Sequence, residues 1–254
     1  MIYPEIVDRL RRAGCVWAED EARLLLENSF DQHDLVEKVR RRAEGEPLEL
    51  VVGWAEFRDL RIQVARGVFI PRRRTEFLAE QAIAAEPTVV VELCCGAGAI
   101  SAAIQHESRR TIDLHAADID PAAVELARSN LDGPVHLYVG DLFAPLPEQL
   151  HQTVDVVVAN VPYVPTADIP FLPAESRLTE PGTAVDGGPD GLALFSRLVA
   201  EASPWLAPGG RLMSEVSERQ VPLAASIVAG HGLRPEVRED ENLGATVIIG
   251  TFTT

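Results

Sequence analysis

After about residue 75 the chain alternates between short apolar runs and longer segments with helical spacing. The runs TVVVEL, IDLHAAD, VHLYVG, VDVVVAN and GGRLMSEV have strand length and are mostly apolar, which suits strands buried on both faces. Helices are expected between them, over 98–107, 121–130, 191–205 and 217–230. Strand and helix in alternation predict a mostly parallel sheet with helices on both faces, an α/β fold. The last pair, LRPEVRED and ATVIIGTF, have no helix between them, so one is expected to run antiparallel.

The first 45 residues carry a different pattern. IVDRLRRAG stops at Gly14, AEDEARLLLENS opens on acids, and DQHDLVEKVRRRAEG runs from Asp31 to Gly45; each reads as a short helix. In the third, Leu35, Val39 and Ala43 form one narrow apolar stripe, so these helices need a partner surface. LELVVGWAEF and LRIQVARGVFI then flank Arg58-Asp59 and read as a hairpin. This gives a helical domain over 1–46, a β-hairpin linker over 47–74 and an α/β domain over 75–254. The Pro/Gly-rich stretch from Val161 to Pro189 is too long for an idle connection and is expected to be a working loop.

In an open α/β sheet, ligands sit beyond the carboxyl ends of the strands. The first strand ends in VELCCGAGAI, where Gly96 and Gly98 allow close backbone approach and the next helix offers its N-terminus. A dinucleotide fingerprint would carry a third glycine near Ser101. Asp118 ends the second strand, suited to accept from ribose hydroxyls, and Asp141 in GDLF follows the third, suited to accept from an adenine amino group. Each could alone be a turn or capping residue. Together, Glu92, Asp118 and Asp141 make a site of acceptors without a basic residue, which suits a sulfonium better than a pyrophosphate. The cofactor expected is S-adenosylmethionine, not NAD.

The fourth strand ends on Asn160, followed by Val161, Pro162 and Tyr163. N-V-P-Y resembles the Asn-Pro-Pro-Tyr motif of methyltransferases that modify planar, poorly nucleophilic nitrogens. The lone pair of such a nitrogen is delocalised. Two acceptors holding its two N–H bonds can turn the lone pair toward a methyl group, and Tyr163 can pack on the flat group. The side-chain oxygen of Asn160 and the carbonyl of Val161 are those acceptors.

Charge narrows the partners. The net charge of -16 opposes binding to nucleic acid, although Arg40–Arg42 and Arg72–Arg74 are local exceptions, read either as solvated faces or as contacts with an anionic partner. Three cysteines, two of them adjacent, make neither a disulfide framework nor a zinc spacing. Six histidines without an HxH or HxxxH pairing give no metal site by spacing. With no membrane-length apolar run and no signal pattern, a cytoplasmic location is expected.

From Arg41 to Gly250 the chain resembles the protein-(glutamine) methyltransferases of the HemK/PrmC type. The resemblance rests on RRAEGEPLELVVGWAEF, GVFIPRRRTE, VELCCGAGAI, ADIDPAAVELARSN, GDLFAPLP, ANVPYVP, EPGTAVDGGPDGLALF and SEVSERQ, in that order. It implies a class I, Rossmann-like methyltransferase fold behind an N-terminal helical domain. The implied reaction is methylation of the glutamine amide in the Gly-Gly-Gln motif of a peptide chain release factor, with a monomer favoured.

By resemblance, Glu92, Cys94, Gly96, Gly98, Asp118, Ile119, Asp141, Leu142 and Asn160 would hold the cofactor. Asn160, Val161, Pro162 and Tyr163 would hold the acceptor amide. The loop of Asp186, Gly187, Gly188, Asp190 and Gly191 would border the site, or form a turn in which Asp190 caps the next helix. Three positions depart from the family pattern. Val161 replaces a proline, Arg73-Arg74 stand where IPRPETE has proline and an acid, and Ser217 replaces a glycine. Other readings are an adenine-amino methyltransferase on DNA or RNA, a paralogue acting on another protein or a small molecule, and an inactive partner of the translation machinery.

Overall fold

The computed structural model describes residues 1–253, and at 174, 176 and 178 the backbone only. Helices α1 (Tyr3–Arg12), α2 (Ala18–Glu27) and α3 (Gln32–Ala43) open the chain. Asp31 starts α3 by accepting the Asp34 N–H at 2.9 Å. Leu35 and Val39 face inward, while Ala43 is only half-buried. They pack with Ile6, Leu10, Leu25 and Val51 in a small core separate from those of the sheet.

Residues 48–52, expected as strand from their apolar composition, form the short helix α4 (Leu48–Val52). Pro47 precedes it and Gly53, at φ 91°, stops it, so end residues override β-branched propensity. The hairpin follows as β1 (Trp54–Phe57) and β2 (Leu60–Gln63), turned by Arg58 and Asp59 at φ 47° and 61°. The second strand stops earlier than its sequence pattern, after a last bond from the Val64 N–H to the Gly53 carbonyl at 3.1 Å, and Asn130 holds the outer edge of Gln63. The Asn130 side chain accepts the Gln63 N–H at 2.8 Å and donates to the Gln63 carbonyl at 3.0 Å.

A 3₁₀ turn at Arg73–Thr75 leads into α5 (Glu76–Ala84), a helix not expected from the sequence. Its buried residues Phe77, Leu78 and Ala82 stand directly behind an arginine run that hides the pattern. Then come β3 (Val89–Leu93), α6 (Ala99–Glu107), β4 (Asp113–Asp118), α7 (Pro121–Asn130), β5 (His136–Val139), β6 (Val154–Ala159), the short α8 (Ala174–Thr179), α9 (Ala193–Ala202), β7 (Leu206–Val216), α10 (Val221–Gly230), β8 (Leu233–Asp240) and β9 (Ala245–Phe252). The sheet order is β5-β4-β3-β6-β7-β9-β8; β5 to β7 run parallel, and β9 is antiparallel to both its neighbours. No helix among the described residues is long and apolar enough to cross a membrane.

The two-residue strand period splits the sheet into two cores. Val90, Val156 and Val158 share one with α5 and α6. Val91, Val157 and Ala159 share the other with α9 and α10. Asn160 therefore continues the α5 face beyond β6, while Val161 turns into the opposite core. Phe57, fully buried with Leu78, Ile100 and Ile104, ties the hairpin to the sheet body. Phe57→Ala is expected to cost about 3–5 kcal/mol in urea unfolding; a loss below about 1 kcal/mol would mean that the hairpin is not docked by this side chain.

Candidate active site

Beyond the C-terminal ends of β3, β4 and β6 lies a cleft with about 880 Å³ of space, its mouth included. Its lining includes Glu92, Cys94, Gly96, Asp118, Ile119, Asn160 and Pro162. A second cleft of about 1070 Å³ adjoins it and is lined by Val161, Tyr163, Val164 and Leu172 among others. Phe69, Arg72, Asn160, Pro162 and Ala184 line both, so Asn160 stands at the wall between the two.

The turn after β3 is built for close backbone approach. Cys94 and Gly96 lie in the left-handed region at φ 55° and 53°. For Cys94 that conformation is unusual and strained. Burial, with the carboxylates around it, pushes the Cys94 thiol up to about 12, so it is an unreactive wall. Gly98 is also left-handed, at φ 76°, but its requirement is packing: a Cβ there would stand 3.0 Å from that of Ala127 on α7. It is absent from the lining of both clefts.

Glu92 points into the first cleft from β3 and accepts from the backbone N–H of Ser101 at 2.9 Å and from its hydroxyl. Ser101, standing where a dinucleotide site has glycine, thus anchors the carboxylate. Burial raises Glu92 to about 8, only partly offset by the Ser101 bonds. Asp118 accepts from the Gly96 and Asp120 N–H groups, each at 2.9 Å, and burial raises it despite those bonds. Asp141 instead lies half-exposed in an ion pair with Arg197 at 2.7 Å. Leu142 is buried in the core at φ 45°. Neither lines the two clefts.

The orientation of Asn160 follows from a buried relay. Glu215, at the end of β7, is 2% exposed and accepts the Thr75 hydroxyl at 2.8 Å. With its proton committed there, Thr75 offers Asn160 only a lone pair, so the Asn160 amide nitrogen turns to it at 3.3 Å. The Asn160 oxygen faces away, buried and without a hydrogen-bond partner among the described residues. Glu215 also accepts from the Tyr163 hydroxyl at 2.9 Å and pairs with Arg74 at 2.8 Å. Burial raises its pKa, with Arg74 and Thr75 pulling the other way. The Arg74 guanidinium lies 5.1 Å from the centre of the Tyr163 ring. Sequence reading gave Thr75 and Glu215 no role. The available signal was that Glu215, like Asn160, stands at the C-terminal end of an apolar central strand.

The long loop folds back on the segment after Asn160. Val164 exchanges backbone bonds with the loop, accepting from Gly187 at 2.8 Å and donating to Val185 at 3.1 Å. Asp186 accepts from Thr166 and Gly188, which hold its carboxyl below the usual range. Asp190 accepts the Leu192 N–H at 2.9 Å at the start of α9, the turn reading of that residue. None of Asp186, Gly187, Gly188, Asp190 and Gly191 lines either cleft. Gln220, also missed, donates to the carbonyls of Tyr163 and Asp190, and Ser217 donates to its oxygen.

With this geometry in place, comparison with known proteins is decisive. The chain is 37% identical over 198 residues to the release factor glutamine methyltransferase of Gloeobacter violaceus, covering 75% of this chain and 68% of that protein. It is 39% identical over 206 residues to the one from Mycolicibacterium smegmatis, covering 77% and 72%. The chain belongs to the release factor glutamine methyltransferase family. The relative from Thermodesulfovibrio yellowstonii extends the match to 84% of this chain and 80% of that protein, at 30% identity. A model for the methyltransferase small domain matches residues 60–172. The fold is that of class I methyltransferases. It is similar to a methyltransferase from Pyrococcus furiosus, with TM-score 0.59 and 15% identity over 88% of this chain and 98% of that one. A ribosomal protein L11 methylase from Lactobacillus delbrueckii subsp. bulgaricus matches at TM-score 0.54 and 14% identity, over 74% and 82%.

The departures from the family pattern have structural accounts. Arg74 is the ion partner of buried Glu215, Val161 is 1% exposed in the α9 core, and Ser217 holds Gln220 against the loop. Arg73 faces the outer groove beside Glu56 and Glu76.

Glu92 supplies a pH test. Its folded pKa, about 8, lies above its ordinary 4.5, so its contribution to stability is complete below 4.5 and is lost as pH rises through about 8. Glu92→Gln keeps the neutral shape. The stability of the natural protein relative to this variant is expected to fall between those two pH values, by at most about 1.4 kcal/mol per unit. Urea titrations across that range measure it, and a pH-independent difference would contradict the assignment.

Proposed function

We propose that this chain transfers a methyl group from S-adenosylmethionine to the side-chain amide nitrogen of a glutamine in a peptide chain release factor. One observation carries the reading: the buried Asn160 oxygen, without a partner among the described residues, at the wall between two clefts. A buried acceptor left open in a folded protein calls for a donor from outside it. The names of the relatives supply the donor, a glutamine amide.

The first cleft fits the cofactor. Asp118 gives it an acceptor for hydroxyl donors, and Glu92 is an acid that a bound cation would return to its charged, accepting form. Gly96 leaves backbone room, and exposed Ile119 offers an apolar face. Arg72, the one basic residue among the described lining, is ion-paired with Glu180 at 2.5 Å. Bound there, S-adenosylmethionine supplies an electrophilic methyl group on a sulfonium.

The remaining work belongs to the chain. Asn160 accepts one N–H of the glutamine amide and the Val161 carbonyl accepts the other, which turns the nitrogen lone pair toward the first cleft. Tyr163, fixed by Glu215 and Arg74, packs on the amide plane from the second cleft. The nitrogen would shed one of its two protons to water as the new N–C bond forms, so the chain's work is positioning and electrostatics, with no strong base required. Residues 1–46 form the part that meets the substrate protein, with the hairpin as linker, and exposed Trp17 and Phe30 give that part apolar contact points.

The test is labelled methyl transfer to a release factor with and without its acceptor glutamine. Transfer is expected only when the glutamine is present. Asn160→Ala is expected to lower it by about 10²–10³ while leaving cofactor affinity nearly intact. Full transfer by the variant would remove Asn160 from the chemistry.

A further inference from the structure

We propose that Asp113, His115 and His136 form a binding site for one divalent transition-metal ion of the zinc type, at the sheet edge and away from both strand-end clefts. Asp113 and His115 are two residues apart on β4, so their side chains share a face. His136, on the edge strand β5, is the direct neighbour of His115 in the parallel register. One oxygen or nitrogen from each of the three lies within 4.8 Å of the others.

The two separations to Asp113 suit a single ion. His115 Nε2 is 3.1 Å from Asp113 Oδ1, and His136 Nε2 is 3.5 Å from the same oxygen. Two donors on a tetrahedral ion at about 2 Å stand roughly 3.3 Å apart, which falls between these values.

A second, independent observation points to a ligand. His115 is 4% exposed, and its Nε2 has no hydrogen-bond partner among the described residues, with Asp113 Oδ1 nearby at 3.1 Å. Its other ring nitrogen lies 3.0 Å from the Tyr138 hydroxyl. That contact fixes the ring with Nε2 toward Asp113, as outer partners of metal-bound histidines do. The His136 ring stacks beside it at 4.6 Å and 15°, and His136, half-exposed, has room to turn its nitrogen toward a shared ion. Asp113 and His136 are half-exposed, which leaves an entry path and room for water to complete the coordination.

Spacing along the sequence missed this group because its ligands come from two adjacent strands, as Asp-x-His and a lone histidine. The consequence is mechanical. An ion there would join β5, a four-residue edge strand, to β4 by a cross-strand bridge.

The full chain, stripped with chelator and titrated calorimetrically with zinc chloride alone at neutral pH, is expected to bind one equivalent saturably. His136→Ala and Asp113→Ala, both at exposed positions, should each weaken binding about tenfold or more. His151→Ala, outside the group, should leave it unchanged. Zinc should also raise the melting temperature of the natural chain and not that of His136→Ala. Absence of saturable binding, or equal binding by His136→Ala and Asp113→Ala, would overturn the proposal.

Discussion

The buried carboxylate of Glu215 is the constraint on which the site depends. A carboxylate taken out of water must be given donors. Glu215 receives them from Thr75, Arg74 and Tyr163, which belong to two separate segments. The same bonds that satisfy it therefore clamp the turn before α5 against the segment after β6. Because Thr75 spends its proton on Glu215, the amide of Asn160 has one way to face. The open acceptor is thus produced by a chain of donor and acceptor commitments that begins at the end of β7.

The sheet explains why so many acids gather at one end. Parallel strands bring their C-terminal ends to the same edge, so Glu92, Asp118, Asn160 and Glu215 converge without being close in sequence. Burial raises the pKa values of Glu92, Asp118 and Glu215 together, and Arg74 offsets it directly only at Glu215. A site with uncompensated acceptors is poised for a cationic ligand that brings its own donors. Such preorganisation costs stability in the free protein, and Glu92 at high pH carries part of that cost.

Much of the fold was legible because it rests on period. The seven strands of the main sheet lie where the apolar runs placed them, and of the four helices expected between them α7 keeps its bounds and the other three have shifted ends. The failures have local causes. Leu48–Val52 has strand composition but a proline at its start and a left-handed glycine at its end. Helix α5 was hidden behind arginines. At the site, strand-end residues such as Asp118 and Asn160 could be read from position. Thr75, Gln220 and the pairing of Arg74 with Glu215 could not, since those contacts join residues far apart in the chain. Gly98 and Leu142, named by resemblance, lie against Ala127 and in the core.

The most direct test is a crystal structure of the chain with the demethylated cofactor and a peptide containing Gly-Gly-Gln. The account predicts the glutamine amide nitrogen within hydrogen-bond distance of Asn160 Oδ1, with the Asn160 nitrogen still turned to Thr75 and the peptide side chain entering from the second cleft. A glutamine amide bound elsewhere, with Asn160 Oδ1 turned to Thr75 or to water, would contradict it.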